Sequence, residues 1–198
     1  MQFEDAQLVS RSLEGDTDAY GKLVLRYQRA VYAAAYYYVG RYGAAEDVAQ
    51  DAFLEAYRCL PRLRDPNKFG AWLKEIACRT AANWLRRHRK QIARETPLPF
   101  RRTVSIEDAR EGPSGSLQRD EKYERVQQAI DSLPERYRLP VVLRYLQELS
   151  YEEISDFTGE SYDEIRGILQ RAGRQLRDLL ADMGLSEENS GGILHENR

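Results

Sequence analysis

The sequence predicts an all-α protein of two small helical domains joined by a flexible linker, the second a helix-turn-helix. Apolar residues recur at three- and four-residue steps through almost every segment, and no segment shows the alternation of a strand. This periodicity fails over 93–118, a stretch with three prolines and two glycines that is typical of a linker. We therefore place the first domain at 1–92, the second at 119–183 and a flexible tail at 184–198.

Composition and length fit a soluble globular chain. The chain has 198 residues, of which 42% are hydrophobic and 31% charged, which is enough for two small domains. No segment approaches the roughly 18 consecutive apolar residues of a membrane span. The first ten residues also lack the basic start and apolar run of a secretion signal. We expect a cytoplasmic protein without membrane insertion.

The cysteines and histidines form no metal or redox motif. Cys59 and Cys78 lie outside any CxxC pair, and His88 and His195 are not at metal-ligand spacing. The simplest interpretation is two buried thiols in a reducing cytoplasm. The sequence also lacks HExxH, a phosphate-binding loop and a convergent carboxylate pattern. We expect no catalytic residue, metal or cofactor; a nuclease is the least favoured alternative.

The formal net charge of −2 hides a strongly basic segment. Residues 61–102 carry twelve Lys and Arg against three acids, whereas the rest of the chain carries eighteen Lys and Arg and twenty-nine acids. A local basic patch inside an acidic chain indicates contact with a polyanion at one place.

The helix predicted over 68–90 has two different faces. Its apolar stripe, expected to face the core, is Phe69, Trp72, Leu73, Ile76, Ala77, Thr80 and Trp84. The opposite face is basic and continues into the preceding loop 61–68. Because a merely solvated face normally mixes signs, we predict nucleic-acid binding, with an acidic protein partner as the alternative. The predicted contacts are Arg62, Arg64, Lys68, Arg79, Asn83, Arg86, Arg87 and Lys90.

Caps and helix breakers set the other helices. Asp16 or Thr17 begins a helix that glycines end within 40–43, and the next helix runs from about 44 to 60. A later helix starts near Pro134, and Pro140 should kink or restart it.

The segment 149–180 has the pattern of a helix-turn-helix. Ser150 with Glu153 and Ser161 with Glu164 form two capping boxes on either side of a short turn that contains Gly159. The outer face of the second helix carries polar and cationic residues, as a recognition helix would in the major groove. The predicted DNA contacts here are Ser161, Arg166, Gln170, Arg171 and Arg174. The structural alternative is an ordinary two-helix hairpin.

An acidic and polar patch marks the helix within 45–58, "AEDVAQDAFLEAYR". Its members are Asp47, Gln50, Asp51 and Glu55. Any amphipathic helix would look similar, so the patch alone identifies no partner.

Taken together, these pieces resemble the extracytoplasmic-function (ECF) sigma factors, the small promoter-specificity subunits of bacterial RNA polymerase. The resemblance covers about 5–92 and 119–182, and is strongest in "AEDVAQDAFLEAYRCLPRLRDPNKFGAWLKEIACRTAANWLRR" and "AIDSLPERYRLPVVLRYLQELSYEEIS". The order of elements, the linker length and the final helix-turn-helix all fit. The implied function is to direct core polymerase to specific promoters and to assist strand opening at the −10 element.

The resemblance also implies roles for residues. The patch at Asp47, Gln50, Asp51 and Glu55 matches the family's polymerase-binding surface. The helix around Arg79, Asn83, Arg86 and Arg87 matches its −10 reader, and loop 61–68 matches the loop that holds a base flipped from the melted strand. The helix-turn-helix matches its −35 reader. The implied partners are core RNA polymerase, promoter DNA and an anti-sigma factor.

The sequence departs from the family's pattern at two places. Many members have Asn where this chain has Arg79, so its −10 preference is expected to differ. The family's recognition helix usually carries Lys-Ser-Arg and a further Arg where this chain has Arg166, Gly167, Ile168 and Gly173. The other function considered is a stand-alone helix-turn-helix regulator that binds duplex DNA without polymerase; it leaves the 45–90 block without a role.

Overall fold

The computed structural model describes residues 4–39, 42–95, 125–126 and 128–182, with the side chains of 4–39, 44–88, 125–126 and 128–182. These residues are helical with short turns and contain no strand, so the predicted all-α class is confirmed. The first domain contains α1 (Asp5–Leu13), α2 (Thr17–Val39), α3 (Tyr42–Cys59) and α4 (Phe69–Glu95), with 3₁₀ turns at Leu60–Arg62 and Pro66–Lys68. The second contains α5 (helical residues 125–126 and 128–132), α6 (Glu135–Val141), α7 (Tyr151–Thr158) and α8 (Tyr162–Asp182).

The cap predicted for α2 is made by Asp16. Its carboxylate accepts a hydrogen bond from the backbone N–H of Ala19 at 3.0 Å and pairs with Arg11 at 2.6 Å. The backbone hydrogen bond and the Arg11 guanidinium lower the pKa of Asp16. Arg11 belongs to α1, a helix that the sequence interpretation did not assign. The cap therefore also joins α1 to α2.

Two predicted boundaries differ from the structure. The 68–90 helix continues to Glu95, because "QIARE" consists mostly of helix-favouring residues and Pro97 lies beyond it. Residues 93–95 are therefore helical rather than linker. The rest of the predicted linker and the tail 184–198 lie outside the described residues, as does the side chain of Lys90.

Pro140 disrupts its helix as predicted. It lies inside α6 and provides no backbone N–H donor. The chain then widens into a π-helical turn at Val142–Leu146, and the N–H of Leu149 bonds to the carbonyl of Leu143 at 3.1 Å. The proline thus ends regular α-helix one residue after itself, at Val141.

The core of the first domain lies between α2, α3 and α4. On α4, Phe69, Leu73, Ile76 and Ala77 are buried, as the apolar stripe predicted. The other members of the stripe, Trp72, Thr80 and Trp84, are half-buried at its edges.

The helix-turn-helix packs on the first domain through α7. Phe157 is fully buried, with its ring centroid 6.3 Å from that of Tyr27. Lys74 donates a hydrogen bond to the carbonyl of Thr158, in the last turn of α7, at 3.0 Å. At Gly70 the backbone of α4 lies very close to the backbone of α7, since a Cβ on Gly70 would lie 2.3 Å from the carbonyl oxygen of Asp156. The absence of a side chain at Gly70 permits this approach.

No helix in the described residues is long and apolar enough to cross a membrane. Cys59 and Cys78 are free thiols, as predicted, but both are half-buried rather than buried. Burial nevertheless raises the pKa of the Cys78 thiol.

In the described part of the chain, no cluster of three or more His, Cys, Asp or Glu side chains could hold a metal ion.

Candidate nucleic-acid interface

The basic face of α4 is open to solvent. Arg79, Arg86 and Arg87 are exposed and Asn83 is half-buried. Arg79 and Arg86 are seven residues apart, which is about 10 Å along a helix. No acid among the described residues forms an ion pair with these three arginines. Their charges are therefore available to a polyanion.

Local contacts order the centre of this face. Arg86 donates a hydrogen bond to the side-chain oxygen of Asn83 at 2.8 Å, and the Asn83 amide NH₂ has no hydrogen-bond acceptor among the described residues. His88 stacks on Trp84 with ring centroids 4.3 Å apart, and its Nδ1 lies 2.9 Å from the Trp84 carbonyl. The stacked rings of Trp84 and His88 thus order the turn of α4 that contains Arg86 and Arg87.

A cavity of about 470 Å³ opens where loop 61–68 meets α4. Its walls are Arg62, Leu63, Arg64, Asp65, Lys68, Ala71, Trp72, Lys74 and Glu75. Asp65 shapes the loop, because its carboxylate accepts hydrogen bonds from the backbone N–H and the side chain of Asn67 at 3.1 and 3.2 Å. The three predicted loop cations Arg62, Arg64 and Lys68 are exposed around this cavity. An aromatic wall with cationic edges suits a nucleobase and its phosphate.

Among the aromatic and cationic residues of this cavity, sequence reasoning missed two. Trp72 was assigned to the core stripe, but it is half-buried: its ring lies 5.9 Å from that of Phe69 and it also lines the cavity. Lys74 was not selected because nothing in its local pattern distinguishes it. Trp72 stands at the edge of the apolar stripe nearest the basic loop, and that position was the available signal.

The patch on α3 forms one exposed face. Asp47, Gln50 and Asp51 are exposed, while Glu55 is half-buried and accepts a hydrogen bond from the Cys59 thiol at 3.4 Å. Leu54 belongs to the same face, seven residues after Asp47, and is 55% exposed. The sequence interpretation overlooked it because one leucine in a polar face is an ordinary occurrence.

The helix-turn-helix has the predicted local structure. Both capping boxes are formed, and Gly159 adopts the left-handed conformation at φ 79°. The Ser161 hydroxyl is engaged with Glu164, which it contacts at 2.6 Å. These hydrogen bonds from Ser161 lower the pKa of Glu164, so this carboxylate is ionised at the start of α8.

The outer face of α8 holds the other predicted contacts. Arg166, Gln170, Arg171 and Arg174 are exposed on it. Arg166 pairs with Asp163 at 3.0 Å, so its charge is partly balanced within the helix. Arg171 is bonded to Tyr137 of α6 instead. The cations of α8 are thus less free than those of α4.

Family models match both domains. The model of sigma-70 region 2 matches residues 23–91, and the model of sigma-70 region 4 matches 123–176. The chain is 34% identical over 179 residues to the ECF RNA polymerase sigma-E factor of Escherichia coli, covering 86% of this chain and 91% of that one. This chain belongs to the ECF sigma factors. The RNA polymerase sigma-H factor of Pseudomonas aeruginosa is 37% identical over 159 residues, 78% of this chain and 82% of that one.

Solved structures are similar to this sigma factor over most of its length. CnrH, in a complex with the cytosolic domain of CnrY, matches with a TM-score of 0.58 and 25% identity, over 91% of this chain and 99% of that one. The sigma factor RpoE of Bartonella quintana, in a complex with the anti-sigma factor NepR, has the same fold at a TM-score of 0.50 and 24% identity, over 81% and 96% of the two chains.

Proposed function

We propose that this ECF sigma factor recruits core RNA polymerase with α3, opens and reads the −10 element with α4 and loop 61–68, and reads the −35 element with α8. The proposed units are a −10 and polymerase-binding domain that ends with α4 at Glu95, a linker from there to 118, and a −35 domain at 119–183. The observation that carries the proposal is the row of exposed arginines on α4, which pair with no acid in the described part of the chain and lie beside an aromatic-walled cavity.

The −10 site combines a cationic track with a base pocket. Arg86 and Arg87 contact phosphates of the separated strand, and Arg79 and Asn83 contact base edges. A base that leaves the stack costs a few kcal/mol, and contacts in the pocket must offset this cost. Trp72 offers a stacking surface to that base, while Arg62, Arg64 and Lys68 hold the adjoining phosphates.

The polymerase site is the acidic face of α3. Asp47, Gln50, Asp51 and Glu55 supply charge and hydrogen bonds to a basic or polar partner surface. Leu54 supplies an apolar centre, since it is 55% exposed among these polar side chains. Interfaces commonly derive most of their binding energy from a few such anchors inside a polar rim.

Leu54→Ala should weaken binding to core polymerase about tenfold, because the anchor loses its buried contact while the acidic rim remains. The measurement is fluorescence titration of labelled sigma factor with core polymerase. Leu25→Ala is the matched control: Leu25 is 67% exposed on α2 and should give wild-type affinity. Equal affinity of Leu54→Ala and wild type would remove Leu54 from the interface.

The −35 site is the outer face of α8. Arg166, Gln170, Arg171 and Arg174 face the major groove, with Ser161 at the entry of the helix. The acids Asp163 and Glu164 lie beside them and repel phosphate, although they suit the positive end of the helix dipole. We therefore expect weaker and less salt-dependent docking at −35 than a fully basic helix would give.

The sigma factor acts in the cytoplasm without chemistry of its own. Its roles in this proposal are binding and positioning, which need no catalytic side chain. An anti-sigma factor is the further partner, because free sigma factor would otherwise compete continuously for core polymerase.

Run-off transcription tests the proposal. Core polymerase alone should not initiate at a cognate promoter, and adding this protein should produce a transcript of defined length. Tight, sequence-specific binding of duplex DNA by the isolated chain, without recruitment to core, would support a stand-alone regulator instead. A protein that neither binds core nor directs initiation refutes the proposed function.

A further inference from the structure

The buried side chain of Tyr137 joins α6 to the recognition helix α8. Tyr137 is 5% exposed. Its hydroxyl oxygen accepts hydrogen bonds from Arg136 Nη2 at 3.0 Å and from Arg171 Nε at 3.3 Å. The guanidinium carbons of the two arginines lie 4.9 and 6.0 Å from the centre of its ring. The hydrogen bonds from Arg136 and Arg171 lower the pKa of the Tyr137 hydroxyl. Tyr137 thus restrains Arg171 by both its hydroxyl and its ring.

Gly167 provides the space into which Arg171 reaches. Side chains on a helix lean toward its N-terminus, so residue 171 covers the turn that contains residue 167. A Cβ at position 167 would lie 3.3 Å from both Nη1 and Nη2 of Arg171. Residue 167 shares the outer face of α8 with Gln170 and Arg174, which are exposed. The guanidinium therefore lies over the centre of the face that meets DNA.

The free end of this guanidinium is suited to a ligand with two acceptors. Nε is engaged by Tyr137, whereas Nη1 and Nη2 make no hydrogen bond or ion pair with the residues that the structure describes. Two parallel N–H donors match the adjacent oxygens of a phosphate or the O6 and N7 atoms of guanine. Because Tyr137 already restrains the Arg171 side chain, DNA binding costs less side-chain entropy than it would for a free arginine.

We propose that Tyr137 is a positioning residue for promoter reading: with Gly167 it holds Arg171 so that Nη1 and Nη2 make a bidentate contact with the −35 DNA. This inference rests on the proposed function of α8. It also explains Gly167, which is one of the departures from the family's pattern. Because glycine has no side chain, the guanidinium of Arg171 from the next turn can occupy the central position of the outer face. The inference also gives Arg171 a different role from Arg166, whose guanidinium is paired with the carboxylate of Asp163.

A double-mutant cycle on the full chain in complex with core polymerase tests the positioning. The probe is a promoter identified by mapping the start sites of the wild-type holoenzyme. Arg171→Ala should weaken promoter binding about tenfold. Tyr137→Phe keeps the ring and removes the hydroxyl, and should weaken binding about threefold. The double variant should bind like Arg171→Ala alone, because Tyr137 acts only through Arg171.

Gly167→Ala tests the same arrangement without disturbing the core. Alanine favours helix over glycine, so the melting temperature should not fall. The added Cβ should move the flexible guanidinium and weaken promoter binding severalfold. The matched control is Gly21→Ala in α2, where a Cβ has no atom within 4 Å, and it should leave binding at the wild-type level.

Salt and base substitutions identify the DNA group. A uniform loss across promoter variants, with the salt dependence of binding reduced by about one ion, assigns the contact to a phosphate. A loss confined to one base pair assigns it to a guanine edge. Either result supports the inference.

Other outcomes overturn it. Additive losses from Tyr137→Phe and Arg171→Ala would mean that Tyr137 acts separately. Wild-type promoter binding by Arg171→Ala would mean that the Arg171 side chain does not contact DNA. Wild-type promoter binding by Gly167→Ala would mean that the contact does not depend on the position of the guanidinium over residue 167. If the wild-type protein itself fails to direct initiation, the proposed function fails, and that result is distinct from a wild-type holoenzyme whose cycle is additive.

Discussion

Replacing both Arg86 and Arg87 by alanine should reduce promoter opening more than Arg166→Ala reduces promoter docking. Arg86 and Arg87 are exposed and have no acidic partner among the described residues, and Arg86 bonds only to the neutral side chain of Asn83. Arg166 already pairs with Asp163 at 3.0 Å, so its charge is partly balanced within α8 and contributes less to DNA binding. We expect a tenfold to hundredfold loss in opening, since two lost charged contacts at roughly 1 kcal/mol each correspond to about thirtyfold.

Opening is measured by the fluorescence of a base analogue in the −10 element, and docking by binding of duplex promoter to holoenzyme. The salt dependence of single-strand binding should fall by about 1.4 in slope, at roughly 0.7 for each phosphate contact. Arg29→Ala removes one exposed cation from α2 and serves as the control for total charge. Equal losses, or a larger loss for Arg166→Ala, would contradict the ranking of the two sites.

The helices and their caps could be predicted because their signals are local. The spacing of Phe69, Leu73 and Ile76 places them on one side of any α-helix, and the structure buries all three. The capping boxes at Ser150 and Ser161 depend on residues only three positions away, and both are formed. The exposure of the α4 cations could be predicted from the same helical spacing as the buried stripe, since a residue opposite that stripe faces solvent.

The parts of the site that escaped prediction depend on distant residues. Arg171 is held by Tyr137, thirty-four positions earlier, and Lys74 bonds to Thr158, eighty-four positions later. No periodicity reveals such pairs. Trp72 shows a different limit: a large aromatic at the edge of a stripe packs against the core and also lines a cavity, and spacing alone cannot tell how much of the ring stays exposed. Helix α1 was missed because Leu8 and Val9 are its only buried apolar residues.

Gly70→Ala should destabilise the protein although alanine is the better helix former. The added Cβ would lie 2.3 Å from the backbone carbonyl oxygen of Asp156 and 2.8 Å from the Tyr27 hydroxyl. A backbone carbonyl cannot turn away as a flexible side chain can, so α4 and α7 must separate. The separation loosens the packing of Phe157 against Tyr27 and lengthens the bond from Lys74 to Thr158.

Overpacking of this kind costs about 1–3 kcal/mol, which lowers the melting temperature by roughly 2–12 °C at about 2–4 °C per kcal/mol for a chain of this size. Differential scanning calorimetry measures the change, and Gly21→Ala again serves as the control because it adds a methyl to a helix in open space. That control should raise the melting temperature or leave it unchanged. If α7 detaches before the first domain unfolds, the single transition of the wild type splits into two. A melting temperature for Gly70→Ala at or above that of Gly21→Ala would show that α7 does not pack on α4 in solution, because the close approach at Gly70 requires a residue without a side chain.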